Sequence, residues 1–183
     1  MKEEILERRV IFDGEVIKVY VDKVKLPDGK EGKREIVERI DGVSILPIID
    51  NNKVLLIKQY RYAQGKVVWR LPGGGINGPI GNPTEESKDT AQRELFEETG
   101  YKARKLELLF ISGGSGTIKQ KVYHYLATEL YKPNNARKLD KEEFLSIHPT
   151  PLADALKMAK RAEFLNPAFS LMIIIAEERL RNR

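Results

Sequence analysis

Six acidic residues fall between Glu85 and Gly100: Glu85, Glu86, Asp89, Glu94, Glu97 and Glu98. On a helix, Glu94 and Glu98 are i,i+4 neighbours and Glu94 and Glu97 are i,i+3 neighbours, so three carboxylates share one side. Left unpaired, each like-charge pair weakens a helix by roughly a few tenths of a kcal/mol. Arg93 stands one turn before Glu97 and about two turns after Glu85, where it can be held between carboxylates. Glu94 and Glu98 still need positive charge, and a hard divalent cation supplies it. A solvated acidic face would explain the glutamates alone. It does not explain the glycine-rich Pro72-Gly73-Gly74-Gly75 before them or the Thr99-Gly100 stop directly after them.

The surrounding elements follow from pattern. Two dense β-branched runs, residues 43–49 and 54–60, flank a turn at Asp50-Asn51-Asn52 and predict strands covered on both faces. Residues 67–71 predict a short strand, and the stretch from there to Thr84 holds Gly78, Pro79, Gly81 and Pro83, which exclude regular structure. Thr84 is the expected N-cap of the carboxylate helix, with Ser87 and Asp89 as competitors, and Gly100 its left-handed stop. The first 40 residues are strand-rich, with 9–12, 16–24 and 34–38 as strands and Pro27-Asp28-Gly29 as a turn. Strands at 105–110, 120–128 and near Leu145, then helices at 152–161 and 168–181, complete the chain. The mixture is α+β, or a layered α/β/α sandwich, with no composition break marking a linker.

Composition narrows the chemistry. Of 183 residues, 41% are hydrophobic, enough for a sizeable core. The longest late apolar run, Leu171 to Ala176, falls far short of the roughly 20 residues that span a bilayer. The N-terminal Met1-Lys2-Glu3-Glu4 has no apolar region behind it, so no signal peptide and a cytoplasmic location are expected. High charge without cysteine also fits a heat-adapted protein. Cysteine is absent, which removes thiolate ligands, and His124 and His148 cannot form a zinc cluster alone. Any metal is then held mainly by oxygen: magnesium, manganese or calcium. The formal charge is +5. Its lysines and arginines are scattered, the pattern of a solvated surface, which argues against nucleic acid; a basic surface could equally attract a small phosphorylated substrate. His124 lies in a strand pattern and reads as a packed or surface histidine, and His148 carries no partner pattern. No Gly-x-Ser-x-Gly elbow is present, and Gly73-Gly74-Gly75 lacks the Gly-Lys-Ser/Thr of a P-loop.

Glu85, seven residues, then Arg93-Glu94-Leu95-Phe96-Glu97-Glu98-Thr99-Gly100-Tyr101 resembles the Nudix box, G-x5-E-x7-R-E-U-x-E-E-x-G-U with U apolar. The family's Leu-Pro-Gly-Gly strand end is matched by Leu71-Pro72-Gly73-Gly74. One position departs: Pro79 stands where the box glycine belongs, and an insertion of about five residues between Gly74 and Glu85 accounts for it. The resemblance implies an α+β fold of the α/β/α sandwich type with an N-terminal antiparallel strand section. It also implies cleavage of a nucleoside diphosphate linked to another group. Glu94 and Glu98 would bind Mg²⁺, with Mn²⁺ as the substitute. Glu97 would ligate the metal or orient the site, Arg93 with Glu85 would brace the helix, and the carbonyl near Gly73 would complete a metal shell.

Phe12-Asp13-Gly14, Leu26-Pro27-Asp28-Gly29 and Gln59-Tyr60-Arg61-Tyr62 extend the similarity to the ADP-ribose pyrophosphatase branch. There the N-terminal strands exchange between subunits, which implies a homodimer, a dimerising section at 1–42 and a hydrolase domain at 43–183. Phe12 and Arg61 are the implied substrate contacts, and Arg70, from its own charge, is a further candidate. In that branch a late acidic stretch brings in a general base and a further metal ligand, and Asp140 and Glu142 are the candidates for these catalytic positions. Two departures leave the substrate open: Ser112-Gly113-Gly114-Ser115-Gly116-Thr117 lacks the branch's proline and acid, and Arg70 stands where relatives often place glutamate. Arg70 either favours a more anionic substrate, such as a nucleoside triphosphate or dinucleoside polyphosphate, or is paired with an acid. A non-catalytic nucleotide sensor on the same scaffold is the further alternative.

Overall fold

The computed structural model describes residues 2–134 and 144–181. Its first three strands, β1 (Glu4–Asp13), β2 (Ile17–Lys25) and β3 (Glu31–Arg39), form an antiparallel meander. Arg8 lies directly opposite Asp22 and donates to both its carboxylate oxygens at 2.8 and 2.7 Å, which fixes the β1–β2 register. The guanidinium holds the Asp22 carboxyl below the usual carboxylate range.

The main sheet is built on β4 (Gly42–Ile49) and β5 (Lys53–Arg61), with β6 (Lys66–Arg70) returning along β5 through a 3-10 turn at Tyr62–Gln64. After helix α1 (Ser87–Thr99) come β7 (Lys102–Gly113), the two-residue β8 (Ile118–Lys119), β9 (Lys121–Tyr131) and β10 (Leu145–Pro151). Helices α2 (Leu152–Lys160) and α3 (Pro167–Arg181) follow. The strand order is β10-β5-β4-β9-β7, with β9 parallel to β4 and β6 paired to β5. The short β8 runs parallel to β3 and joins the N-terminal sheet to the main one.

Side-chain alternation sorts the core into two layers. Leu46, Ile48, Val54, Leu56 and Leu126 face α2 and α3, whose Leu152, Ala155, Met172 and Ile173 cover them. Val43, Ile45, Tyr125 and Ala127 face α1 through Ala91 and Leu95. The continuous apolar runs of β4 and β5 are thus covered on both sides, and the α/β/α sandwich is the architecture. No helix among the described residues is long and apolar enough to cross a membrane.

Helix α1 starts later than its sequence suggests. Glu86 holds the N-cap position without a side-chain cap, and Thr84 plays no capping part. Thr84 instead donates its N–H (2.8 Å) and its hydroxyl (3.3 Å) to the Asn77 carbonyl, closing the loop before the helix. A partner within the same loop has taken the group that local pattern assigned to the cap. The other end is as expected: Gly100 adopts φ +77° and its N–H bonds the Phe96 carbonyl at 2.8 Å.

Candidate active site

The site begins where β6 ends. The Pro72 carbonyl accepts from Ile45 N–H and the Gly74 carbonyl from Val43 N–H, both at 2.9 Å, so residues 72–74 lie pinned along β4. The absence of side chains is what permits this. A Cβ at Gly73, where φ is +151°, would strike the Val43 carbonyl and stand 2.9 Å from Ser44 Cα. At Gly74 a Cβ would stand 2.5 Å from Cδ and 2.7 Å from Oε2 of Glu94. The glycines therefore let β4 close on one side and the α1 carboxylates on the other.

The buried stripe of α1 consists of Thr90, Ala91, Glu94, Leu95, Glu98 and Thr99. Ala91 and Leu95 anchor it, and full burial of Leu95 contributes about 1.5–3 kcal/mol. Two carboxylates on that inward stripe run against the ordinary partition of a helix. Arg93 serves as hub for the flank: it donates to Glu85 Oε1 and Oε2 (both 3.2 Å), Glu94 Oε1 (2.8 Å), Glu97 Oε2 (2.9 Å) and the Gly75 carbonyl (3.3 Å). Glu85 is held below the usual carboxylate range chiefly by Arg93. Glu94 moves the other way, pushed up to about 7 by burial, with Glu98 and Glu97 adding to the shift and Arg93 opposing it. Glu97 is only half-buried and is the most open of the three.

Arg70 corrects one expectation. A substrate contact from this side chain does not fit the structure, because Arg70 is 3% exposed and faces inward. Its guanidinium forks onto Glu98: Nη2 donates to Oε1, and Nη1 reaches Oε2 at 3.2 Å. Oε2 also accepts from Gly73 N–H at 2.9 Å, and Gln59 Oε1 accepts from Arg70 Nε at 2.7 Å. The cause is strand geometry. Gln59 pairs with Val68 across β5 and β6, so Arg70 is its diagonal neighbour on the same face. Gln59 entered the sequence reading only as part of Gln59-Tyr60-Arg61-Tyr62 and without a role; pairing the 54–60 and 67–71 strands as a hairpin would have revealed it.

The residues present fit a divalent ion. The side chains that α1 offers are oxygen donors, and the described histidines are engaged elsewhere. His124 is buried between Ser44 and Ser112 (2.8 Å each) and pushed down to about 4 by desolvation, while His148 bonds Ser146 and meets the Trp69 ring edge-on. A buried carboxylate raised to about 7 is short of positive charge, which a hard cation supplies. Among the described residues no three acidic or histidine side chains stand in a ligating array; Arg93 pairs with Glu94 and Glu97, and Arg70 with Glu98.

Phe12 is on β1, opposite Val19 in the N-terminal sheet, and Arg61 closes β5 opposite Lys66. Asp140 and Glu142 lie outside the described residues. The insertion between Gly75 and Pro83 leaves the site sideways: Ile76 is buried with its N–H on the Asp41 carbonyl (2.9 Å), and Gly81 passes close to Glu38 on β3.

Helix layers on both faces of a mixed sheet, with a carboxylate helix set against a glycine strand end, define the class: an α/β/α sandwich carrying an acidic helix at its site. Residues 38–170 match the model of the NUDIX domain, and residues 3–37 that of the nucleoside diphosphate sugar hydrolase N-terminal domain. The chain is 34% identical to a Bacillus subtilis protein named ADP-ribose pyrophosphatase, over 99% of this chain and 97% of that one. It is 35% identical to the methanol dehydrogenase activator of Bacillus methanolicus, over 87% and 84%. A solved structure titled ADP compounds hydrolase superposes with a TM-score of 0.84 at 22% identity, covering all of this chain and 96% of the other, and confirms the fold. The chain belongs to the Nudix family and is a Nudix hydrolase, a family whose members generally use divalent metal ions.

Proposed function

We propose that this protein hydrolyses the pyrophosphate bond of ADP-ribose or a related nucleoside diphosphate sugar, releasing AMP and a sugar phosphate, with Mg²⁺ as the ion. One observation carries the reading: Glu94 and Glu98 occupy the inward stripe of α1, beside the side-chain-free turn at Gly73–Gly74. Proteins named ADP-ribose pyrophosphatase in B. subtilis and Mycobacterium tuberculosis, similar over 99% and 89% of this chain, support the substrate.

Glu94, Glu98 and the Gly73 carbonyl would hold the ion, and Glu97 would share it or orient the water. When bound, divalent ions neutralise the diphosphate and lower the pKa of water. Arg93, tied to Glu85, fixes Glu94 and Glu97 on one flank. Water oxygen forms a bond to one phosphorus, the bridging P–O bond breaks toward the other phosphate, and one proton goes to a base. Asp140 and Glu142 remain the proposed carriers of that proton. Arg61 and Phe12 are the proposed substrate contacts. Arg70, committed to Glu98, gives no support to a more anionic substrate.

The N-terminal sheet is proposed as the dimerising section. Every residue of β1 is exposed, including Ile5, Leu6, Val10, Ile11 and Phe12, and an apolar edge of this kind is suited to a second copy. A phosphorylated small-molecule substrate fits a cytoplasmic setting.

The test is incubation of the full chain with Mg²⁺ and ADP-ribose, ADP-sugars, NADH, dinucleoside polyphosphates and nucleoside triphosphates, with products resolved by ion exchange. AMP and ribose 5-phosphate from ADP-ribose are expected. Glu97→Gln should lower that turnover by about 10²-fold or more without changing the melting temperature much. Silence across the whole panel would refute the enzymatic reading.

A further inference from the structure

Arg70, the buried partner of Glu98, has no place in the chemistry above. Arg70 is 3% exposed and Glu98 1%. A carboxylate offers about four acceptor positions. On Glu98, Arg70 takes two and Gly73 N–H a third, so both oxygens are already engaged. Arg70 is itself held in place: Nε by Gln59, and Nη1 by the Leu71 carbonyl at 3.0 Å. Both side chains are closed to bulk solvent, so the groups that can replace one another at Glu98 are few. The arrangement also differs from that of Arg93, which is 30% exposed and spreads its donors over three carboxylates.

We propose that Arg70 is a positioning residue that competes with the divalent ion for Glu98. It serves as a fixed counter-cation that keeps the carboxylate in place when no ion is bound, and Glu98 must loosen this fork to ligate. The protein then requires a higher concentration of free divalent ion than it would with a neutral residue at position 70. This rests on the divalent-ion reading of the site, and it concerns the strength of ion binding apart from turnover.

Mn²⁺ binding to the full chain, followed by electron paramagnetic resonance and calorimetry without substrate, tests it. Arg70→Gln should bind Mn²⁺ about tenfold more tightly than the native protein, because one buried positive charge is removed from the ion's vicinity. The same variant should melt lower without ions and gain more from Mn²⁺ than the native protein does, since an unpaired buried Glu98 is costly. Mg²⁺ added to ¹⁵N-labelled native protein should shift the Arg70 side-chain N–H signals as Glu98 lets go, a readout that needs no variant to fold. Equal Mn²⁺ affinity in the two proteins, or Arg70 signals unmoved at saturating Mg²⁺, would overturn the role of Arg70 alone. No ion binding to either protein would overturn the divalent-ion reading and this inference with it.

Discussion

Three consecutive glycines give a graded probe of the site, because a methyl group at each meets a different neighbour. Gly74→Ala is the informative change. Its new Cβ would stand 2.5 Å from Glu94 Cδ and 2.7 Å from Oε2. Ordinary van der Waals contact begins near 3.4 Å, so the carboxylate must retreat by about 1 Å. Gly74 itself lacks the left-handed φ of Gly73, and the intruded group is the end of a flexible side chain, so the fold should tolerate the change. A displacement of about 1 Å at a catalytic group costs on the order of 10²-fold in rate. Gly75→Ala is the control: its Cβ meets Ile40 Cδ1 at 2.5 Å, displacing an apolar side chain and no carboxylate. Gly73→Ala meets backbone at φ +151° and should impair folding. The assay is Mg²⁺-dependent cleavage of ADP-ribose at several Mg²⁺ concentrations, alongside thermal melts. Gly74→Ala with native turnover and native ion requirement would refute the placement of Glu94 at the reacting centre, whatever the behaviour of its neighbours.

Two buried groups should hide each other in the pH dependence of stability without ions. Burial lifts Glu94 from 4.5 to about 7, so its contribution is full below pH 4.5 and is lost as pH rises through 7. Burial lowers His124 from 6.5 to about 4, so its contribution is full above pH 6.5 and is lost as pH falls through 4. Each shift amounts to 2.5 pH units, or about 3 kcal/mol, and the slopes oppose between pH 4.5 and 6.5. In EDTA the native protein should therefore show a nearly flat urea midpoint across that window. Glu94→Gln should unmask a rise of about 3 kcal/mol from pH 4 to 6.5, and identical profiles for the two proteins would contradict the assignment. Thr84→Ala should cost about 0.5 kcal/mol, the loss of one partly exposed hydrogen bond. A loss of 1 kcal/mol or more in denaturant melts would instead restore Thr84 to the cap of α1.

The legible parts of the molecule were those written in short-range spacing. Arg93, Glu94, Glu97 and Glu98 share a flank because 3.6 residues make a turn, and Gly100 stops the helix through a backbone angle that sequence alone suggests. The runs forming β4 and β5 announced burial on both faces through uninterrupted apolar character. What escaped was set by partners that no helix or strand period marks. Thr84 found Asn77 across the insertion, β8 found β3, and Arg70 found a carboxylate 28 residues away. Pairing with β9 at both ends likewise takes β7 to Lys102–Gly113, beyond the expected 105–110, with a register shift between Leu108 and Phe110. Each is a contact whose energy is local in space and invisible in local sequence.

The clasp between Asn77 and Thr84 has a consequence for how this scaffold tolerates change. With its two ends joined by hydrogen bonds, the segment from Gly78 to Pro83 forms an almost closed ring hung on the side of the molecule. Its length is thereby decoupled from the spacing between the strand end and α1, so residues can be gained or lost within the ring while Glu85 still meets Arg93.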